Sequence, residues 1–355
     1  MHPYSQLPAQ NFWKKFVSDS PWRNLGLNNQ PKFTLNNDDR VATAGSCFAQ
    51  HISRYMKYIG LSPYIVEPAH ILQEQFGGSL DSYSQFSARY GNIYTVRQCL
   101  ELFRQAFGIL PIIEDFVELN GRWFDLLRPN IEKEGFATLI EARTDRCYHL
   151  SRVKYLFESS DVFIFTLGLT ESWYNASGGY TYPACPGTVR GDYNPDEHRF
   201  HNLTCAEIVD DLDSLIDGVV AVNKNIKIIL TVSPVPLVAT YTGHNVLVAS
   251  TYSKSVLRAA VGEVEEKRGN VAYFPSYEII SHPASFGQYL ASDLREVTER
   301  GVSHVMDCFL TSYFGVVSGF KSHAVDNPVD SNISPPKVES PPPECEELYN
   351  SLEMQ

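Results

Sequence analysis

The sequence lacks the features that mark several large classes of protein. It has no Cys-x-x-Cys pair, and its seven cysteines are odd in number and scattered, which argues against a disulfide framework and a zinc ribbon. Basic residues are in deficit, because 29 Lys and Arg stand against 41 Asp and Glu, a net charge of −12. We therefore expect no nucleic-acid partner, since such a partner requires a basic face that displaces counterions.

Membrane and targeting signals are also missing. No apolar run reaches the length of about 18 residues that a membrane-spanning helix requires, so we predict no membrane span. The start, Met1-His2-Pro3-Tyr4, has neither the basic nor the apolar region of a secretory signal. Together with the unpaired cysteines, this predicts a reduced, cytoplasmic protein.

The common cofactor and hydrolase motifs do not occur. The sequence contains no GxxxxGK[ST], GxGxxG or HExxH motif, and the GxSxG of α/β-hydrolases is absent as well. These absences argue against a nucleotide-dependent kinase, a dinucleotide oxidoreductase and a zinc peptidase. We expect neither a metal nor a resident cofactor.

The composition is that of a globular protein with two unusual ends. With 43% hydrophobic and 20% charged residues, the chain can build a sizeable core. Residues 1–38 are predicted to form an extended arm, and residues 39–320 the folded domain. Residues 321–355 are predicted to be an acidic, proline-rich disordered tail. Ser322–Gln355 alone carries a net charge of −6, and it has too little apolar surface to offset the entropy of ordering.

Strand and helix signals alternate through the folded domain. Apolar, strand-like runs are predicted at 41–45, 63–66, 161–166, 226–232 and 271–275. Helical patterns lie between and after them, at 48–58, 143–158, 205–223, 251–267 and 297–314. Continuous Val, Ile and Phe runs separated by long helices indicate a parallel sheet that is covered on both faces. The predicted fold is therefore an α/β three-layer α/β/α sandwich of about five strands, with its site at the carboxyl ends of the strands.

Residues 68–142 interrupt this alternation. They contain an amphipathic helical pattern from Ile93 to Phe107 and then a run, Phe116–Asp125, with Asn120-Gly121 at its centre. Asn-Gly between alternating runs is a strong hairpin signal. We interpret the segment as an inserted helical and hairpin lid, not as an independently folding unit.

The loop after the first predicted strand carries the clearest chemistry. Gly45-Ser46-Cys47 stands where a strand turns into a helix, and helix N–H groups stabilise an anion. A thiol there would have a lowered pKa and act as a nucleophile. The alternative is a Gly-Ser helix cap followed by a core cysteine.

Two other turns place polar groups beside predicted strands or helices. Thr166 to Trp173 follows a buried strand, and it is either a capped helix start with Glu171 near the helix dipole or one wall of the same cleft. In the second interpretation Thr170 donates to a developing oxyanion. Gly91-Asn92 is either a second donor pair or a plain turn with a helix cap.

Several ordered segments together resemble the GSCFA family, which is named after Gly45-Ser46-Cys47-Phe48-Ala49. The companion segments are Gly91 to Thr95, Thr166 to Trp173, Val232 to Val235, Ser253-Lys254 and Tyr273 to Glu278. The resemblance covers about residues 35 to 315. It implies the flavodoxin-like α/β/α sandwich of the SGNH/GDSL hydrolase superfamily and an acyl-transfer site.

The superfamily's conserved blocks can be carried over one at a time. Its nucleophile position falls on Cys47, and Ser46 stands where the superfamily has aspartate. The second block's oxyanion glycine corresponds to Gly91 or Asn92. The third block maps to Gly168-Leu169-Thr170-Glu171, which puts Thr170 in the place of the usual asparagine donor.

The last block, Asp-x-x-His, maps to Asp293-Leu294-Arg295-Glu296, and here the sequence departs from the superfamily. Glu296 occupies the place of the general-base histidine, and a carboxylate with an ordinary pKa of about 4.3 is a weak base for a thiol near 8.5. Either burial raises the pKa of Glu296 or another histidine serves. His282 shares the loop and is the first choice; the others are His201, His244 and His304.

Two classes of function follow. The first is an esterase or O-acyltransferase acting on a small-molecule or glycan ester through Cys47 or Ser46, with Asn92, Thr170, Asp293 and Glu296 converging on the thiol. It needs no cofactor as a hydrolase, and acetyl-CoA or another acyl donor as a transferase. The second is a catalytically silent protein that binds a glycan or acyl ligand in the same cleft.

Overall fold

A parallel four-stranded sheet forms the centre of the described part of the molecule. The computed structural model describes residues 2–19, 31–46, 48–58, 63–69, 82–83 and 85–315, apart from the side chains of 51, 53, 54, 57 and 58. The central strands are β1 (Val41–Gly45), β4 (Val162–Leu167), β8 (Lys227–Val232) and β9 (Val271–Phe274). They lie side by side in the order β1-β4-β8-β9, so the sheet grows in one direction along the chain.

Helices cover both faces of this sheet. In chain order they are α1 (Phe48–Tyr58), α2 (Val96–Ala106), α3 (Leu139–Ser159), α4 (Cys205–Val222), α5 (Val246–Lys267), α6 (Ser276–Ser281) and α7 (Glu299–Phe314). Helices α2 to α5 pack on one face and α1, α6 and α7 on the other. The predicted three-layer α/β/α sandwich is confirmed.

The alternation of side chains along each strand divides the core in two. In β4, Phe163 and Phe165 enter the core under α2 to α5, whereas Val162 and Ile164 enter the core under α1, α6 and α7. All six residues of β4 are buried. A strand that is buried on both faces is a continuous apolar run in sequence, which is why the central strands were predictable.

Side-chain caps fix where the helices begin. Thr95 with Gln98 and Thr204 with Glu207 form reciprocal capping boxes at the starts of α2 and α4. Thr298 caps α7, because its hydroxyl accepts from the Gly301 N–H at 3.3 Å. Helix α4 therefore begins at the predicted residue, 205, whereas α2 and α7 begin two or three residues after the predicted starts at 93 and 297.

The predicted strand at 63–66 is wrong. The Tyr64 N–H donates to Val41 O at 3.3 Å, but the next contacts of β1 on this side are made by Ser87, whose Oγ accepts from the Thr43 N–H at 2.9 Å. Val66 in turn donates to Ser87 O. Two irregular segments share this edge, so no ladder forms at residues 63–69.

Two smaller antiparallel sheets lie outside the central one. The hairpin of β2 (Phe116–Leu119) and β3 (Arg122–Asp125) turns at Asn120-Gly121, both with positive φ, as predicted. A three-stranded sheet was not predicted; it consists of β5 (Glu171–Asn175), β6 (Thr181–Tyr182) and β7 (His198–Asn202) in the order β6-β5-β7. The interpretation of Glu171 as part of a helix start is therefore wrong, because Glu171 opens a strand.

The remaining predicted segments have these positions. Within 68–142, α2 joins the main core through Val96, Leu100 and Phe103, and the hairpin region has a small apolar cluster of its own. Residues 2–19 form short helical turns with mostly exposed side chains. The predicted tail, 321–355, lies outside the described residues. No helix in the described ranges is long and apolar enough to cross a lipid bilayer.

Candidate active site

The turn after β1 is held by close contact with β4. Gly45 has a φ of +136°, and a Cβ at this position would lie 2.3 Å from the Thr166 carbonyl oxygen. Only glycine fits there. The Ser46 N–H then donates to Thr166 O at 3.1 Å, and Ser46 O accepts from the Ala49 N–H at 2.8 Å as α1 begins. Ser46 is therefore fixed between a strand end and a helix start, and Cys47 lies outside the described residues.

Three of the segments that resemble the family meet beside this turn. The Ile93 N–H donates to Gly45 O at 2.9 Å, which ties residues 91–95 to the end of β1. Tyr94 O accepts from the N–H groups of Gly168 and Leu169 at 2.9 and 3.0 Å. A Cβ on Gly168 would lie 3.2 Å from Ser46 Cβ, so the turns touch directly.

Two further segments that resemble the family hold the turn at residues 167–170 in place through hydrogen bonds. The Lys254 ammonium, buried in α5, donates to Gly168 O at 2.7 Å, and Ser253 Oγ accepts from the Thr170 N–H at 3.0 Å. The Ser233 N–H donates to Leu167 O at 2.8 Å. Segments that are far apart in sequence thus form one hydrogen-bonded unit at the carboxyl ends of β1, β4 and β8, the edge where an open α/β sheet places its site.

A cavity of about 590 Å³ opens at this edge. Ser46, Gly168 and Ser233 line it, together with Tyr94 and Gln98 of the α2 start. Most of the other lining is apolar or aromatic and comes from β5, the loop at 182–193 and the loop that follows β8. A pocket of this volume suits a ligand considerably larger than an acetyl group.

An aromatic wall forms one side of the cavity. Trp173 packs edge-on against Tyr241 and Tyr193, with ring centroids 4.9 and 5.6 Å apart, and all three line the cavity. Glu171 fixes part of this wall, because its carboxylate accepts from Thr240 Oγ1 at 2.5 Å and from the Tyr241 N–H at 3.0 Å. The carboxylate therefore joins β5 to the loop after β8.

The predicted oxyanion residues occupy different positions around the cavity. Gly168 and Glu171 line it. Thr170 is fully buried behind it, and its Oγ1 has no hydrogen-bond partner among the described atoms. Gly91 and Asn92 border a neighbouring cavity of about 40 Å³.

The Asp293–Glu296 turn brings an unpredicted residue into the cavity. Asp293 Oδ1 accepts from the N–H groups of Arg295 and Glu296, both at 3.0 Å, and Leu294 has a φ of +57°. Asp293 and Glu296 are exposed and do not line the cavity, whereas Arg295 does. Composition gave no signal for this, because the turn geometry decides which side chain points inward.

No histidine among the described residues lines this cavity. His282 is exposed, its Nδ1 accepts from the Ala284 N–H at 3.1 Å, and its ring packs against Trp13 beside a different cavity. His201 Nε2 lies 2.7 Å from Glu207 Oε1, and His304 stacks on Tyr289. Whether Glu296 or a histidine comes within reach of the Cys47 sulfur lies outside the described residues.

The described cysteines form no disulfide with one another, and burial weakens two of them as nucleophiles. Burial raises the pKa of Cys99 to about 12 and that of Cys185, which lines the cavity, to about 11. Cys308 is buried, and Cys147 is exposed on α3. At neutral pH the Cys185 thiol is therefore almost entirely protonated.

The fold and the strand-end cavity place the chain among three-layer α/β proteins whose site lies at a sheet edge. It belongs to the GSCFA family, whose model matches residues 40–309. Among solved structures, it is similar to a Clostridium thermocellum family 3 carbohydrate esterase, with 11% sequence identity and a TM-score of 0.29 over 77% of this chain and 94% of that one. No curated protein matches the chain significantly.

Proposed function

We propose that the protein is an acyl hydrolase or O-acyltransferase that acts on a carbohydrate or glycoconjugate ester, with Cys47 as nucleophile. The observation that carries the proposal is the position of Ser46, which lines the large cavity at the turn between β1 and α1. Cys47 is the next residue in the chain and immediately precedes α1. Cysteines at helix starts have lowered pKa values.

The chemistry divides into two balanced steps. The Cys47 thiolate attacks the ester carbonyl carbon, the bond to the alcohol oxygen breaks, and the departing alkoxide takes a proton from water. This leaves an acyl thioester on the protein. In a hydrolase, water then attacks the thioester carbonyl carbon, the C–S bond breaks, the acid and the Cys47 thiolate are released, and the proton passes to the hydroxide left by the first step. In a transferase, the hydroxyl of an acceptor attacks in place of water.

A ligand-binding protein is the second candidate, and one observation favours it. The described lining of the cavity contains no histidine, and the Asp293–Glu296 turn directs Arg295 inward in place of a base. Arginine cannot accept a proton at physiological pH. In this alternative the cleft binds a glycan or acyl ligand without turning it over.

Thiol reactivity and turnover measured together separate the candidates. We would alkylate the full chain with iodoacetamide from pH 6 to 9, quantify each cysteine by peptide mass spectrometry, and assay p-nitrophenyl acetate with and without acetyl-CoA. An enzyme is expected to show Cys47 reacting at pH 6 to 7, well before Cys185. Cys47→Ala should lower turnover at least about 1,000-fold, because the covalent step is lost.

Two matched variants control this experiment. Cys185→Ala removes a described thiol that lines the cavity, and Cys147→Ala removes an exposed one. Both should retain turnover. If Cys47→Ala retains turnover as well, Cys47 is not the nucleophile; if Cys47 reacts no faster than Cys147 and the wild-type chain cleaves no ester, the binding protein is favoured. Ser46→Ala distinguishes a serine nucleophile, since it would then abolish activity and Cys47→Ala would not.

A further inference from the structure

Arg295 is the one cation among the described residues that line the cavity. Its Nε is buried without a hydrogen-bond partner among the described atoms, and its guanidinium forms no ion pair with a carboxylate of the described residues. Guanidinium groups stay charged at any physiological pH. A half-buried charge without a partner is unfavourable, and an oxyanion that binds there relieves the cost through paired hydrogen bonds.

Two carboxylates, those of Glu171 and Asp192, line the same cavity as Arg295. Both oxygens of Glu171 already accept hydrogen bonds from residues 240 and 241. Asp192 is exposed. Neither forms an ion pair with Arg295, although both line the same cavity, so neither of these two carboxylates neutralises this arginine.

In contrast to the charged Arg295, the aromatic wall of Trp173, Tyr193 and Tyr241 gives the cavity an apolar side. Flat or cyclic apolar groups pack well against such rings. We infer that the cavity binds an organic oxyanion, a ring compound bearing one carboxylate, sulfate or phosphate, with the ring against Trp173 and the oxyanion on Arg295. The inference concerns the ligand of the proposed site, but it does not require that Cys47 be a nucleophile.

Equilibrium binding to the full chain tests this without any turnover. The probes are 2-naphthoate and its uncharged amide, 2-naphthamide, measured by isothermal titration calorimetry. Methyl galactosiduronate, a sugar ring with one carboxylate, and the neutral methyl galactoside form a second pair, which distinguishes an acidic sugar from an aryl acid. In at least one pair the anion should bind about tenfold or more tightly than its neutral partner.

Variants then test whether Arg295 binds the oxyanion and whether Trp173 binds the ring. Arg295→Gln should remove the preference for the anion and leave the neutral probe within about twofold, whereas Arg295→Lys should keep part of it. Trp173→Ala should weaken both members of a pair by the same factor, and Trp173→Phe should restore most of the affinity. Arg300→Gln is the matched control, because Arg300 is exposed, bonds Gln288 and does not line the cavity.

Two results would overturn the inference. In the first, neither anion is preferred over its neutral partner by the wild-type chain. In the second, Arg295→Gln weakens anionic and neutral probes equally, as a merely structural arginine would. Loss of ester turnover in Cys47→Ala with the anion preference intact would instead support both proposals independently.

Discussion

Two polar regions of the molecule differ in whether their arginines contact carboxylates of the described residues. Under the hairpin lies a cluster of buried charged groups in which each arginine is paired or hydrogen-bonded; its members are Glu67, Arg89, Asp125, Arg128, Glu132, Asp145, Arg146 and His149. Arg128 contacts Asp125 at 2.9 Å and Asp145 at 2.7 Å. Arg295, in the cavity, contacts no carboxylate of the described residues. The contrast separates a cation that joins the hairpin to α3 from one that we expect to bind an anionic ligand.

The pKa directions support this division. Burial would raise the pKa of Asp125, but Arg146 and Arg128 outweigh it and lower the pKa below its usual value. The Asp125 carboxylate therefore stays ionised while almost completely buried. A buried charge cluster of this kind holds its geometry only while every member has its partner.

The largest effect should follow from breaking a pair in the cluster. Asp125→Asn leaves Arg128 and Arg146 without their shared carboxylate, and we expect a loss of about 3–5 kcal/mol in the free energy of unfolding. Urea denaturation measures it. The matched change in the cavity, Arg295→Met, should cost less than about 1 kcal/mol. Equal costs would erase the distinction between the two regions.

The next effect concerns the turn that positions Ser46. Gly45→Ala places a Cβ 2.3 Å from Thr166 O at a φ of +136°, so we expect a loss of about 2–4 kcal/mol and of any turnover. Urea denaturation and an ester assay report the two losses. Gly243→Ala is the control, because its φ is +76° but no atom lies near its Cβ, and it should cost about 1 kcal/mol.

As pH falls, the contribution of the charge cluster to stability should decrease before anion binding in the cavity changes. Burial lowers the pKa of His149 below 6.5, so the folded state favours the neutral ring and stability falls as pH drops below 6.5. Burial would raise the pKa of Glu67, but His149, Arg128 and the Arg89 N–H lower it to about 2, so a second loss begins below about 4.5. Urea denaturation from pH 8 to 4 should show both losses.

His149→Gln should flatten the part of that profile just below pH 6.5, and Glu67→Gln the part below 4.5. Anion binding by Arg295 should stay constant across the upper window, since the guanidinium does not titrate there. A profile unchanged by either substitution would show that these groups do not set the acid sensitivity.

The smallest expected effect on stability lies in the cavity wall. Glu171→Gln weakens the hydrogen bonds to Thr240 and Tyr241, and we expect a change below about 1 kcal/mol because the site is partly exposed. Affinity for the neutral ring probe should nevertheless fall several-fold, since the wall moves. Calorimetry with 2-naphthamide measures this; an unchanged affinity would mean that the wall keeps its position without the carboxylate.

The parts of the fold that sequence could predict are those in which both faces are buried. β4, β8 and β9 are unbroken apolar runs, and Asn120-Gly121 marks its hairpin through the positive φ that those residues tolerate. The β5–β7 sheet was not predicted, because its strands are short and mix polar with aromatic residues. The position of Arg295 in the cavity was not predicted, because the positive φ of Leu294, and not a residue type, turns the side chain inward.

The hydrogen bonds of Glu171 have a consequence for how ligand preference can change. The wall of the cavity comes from residues 171–193 and from the loop after β8, both of which lie between elements of the central sheet. Ser46, by contrast, is fixed by a backbone hydrogen bond to Thr166 near the end of β4, and Gly168 by one to Tyr94. Mutations in this wall can therefore change ligand preference while the hydrogen-bonded turn at Ser46 keeps its position.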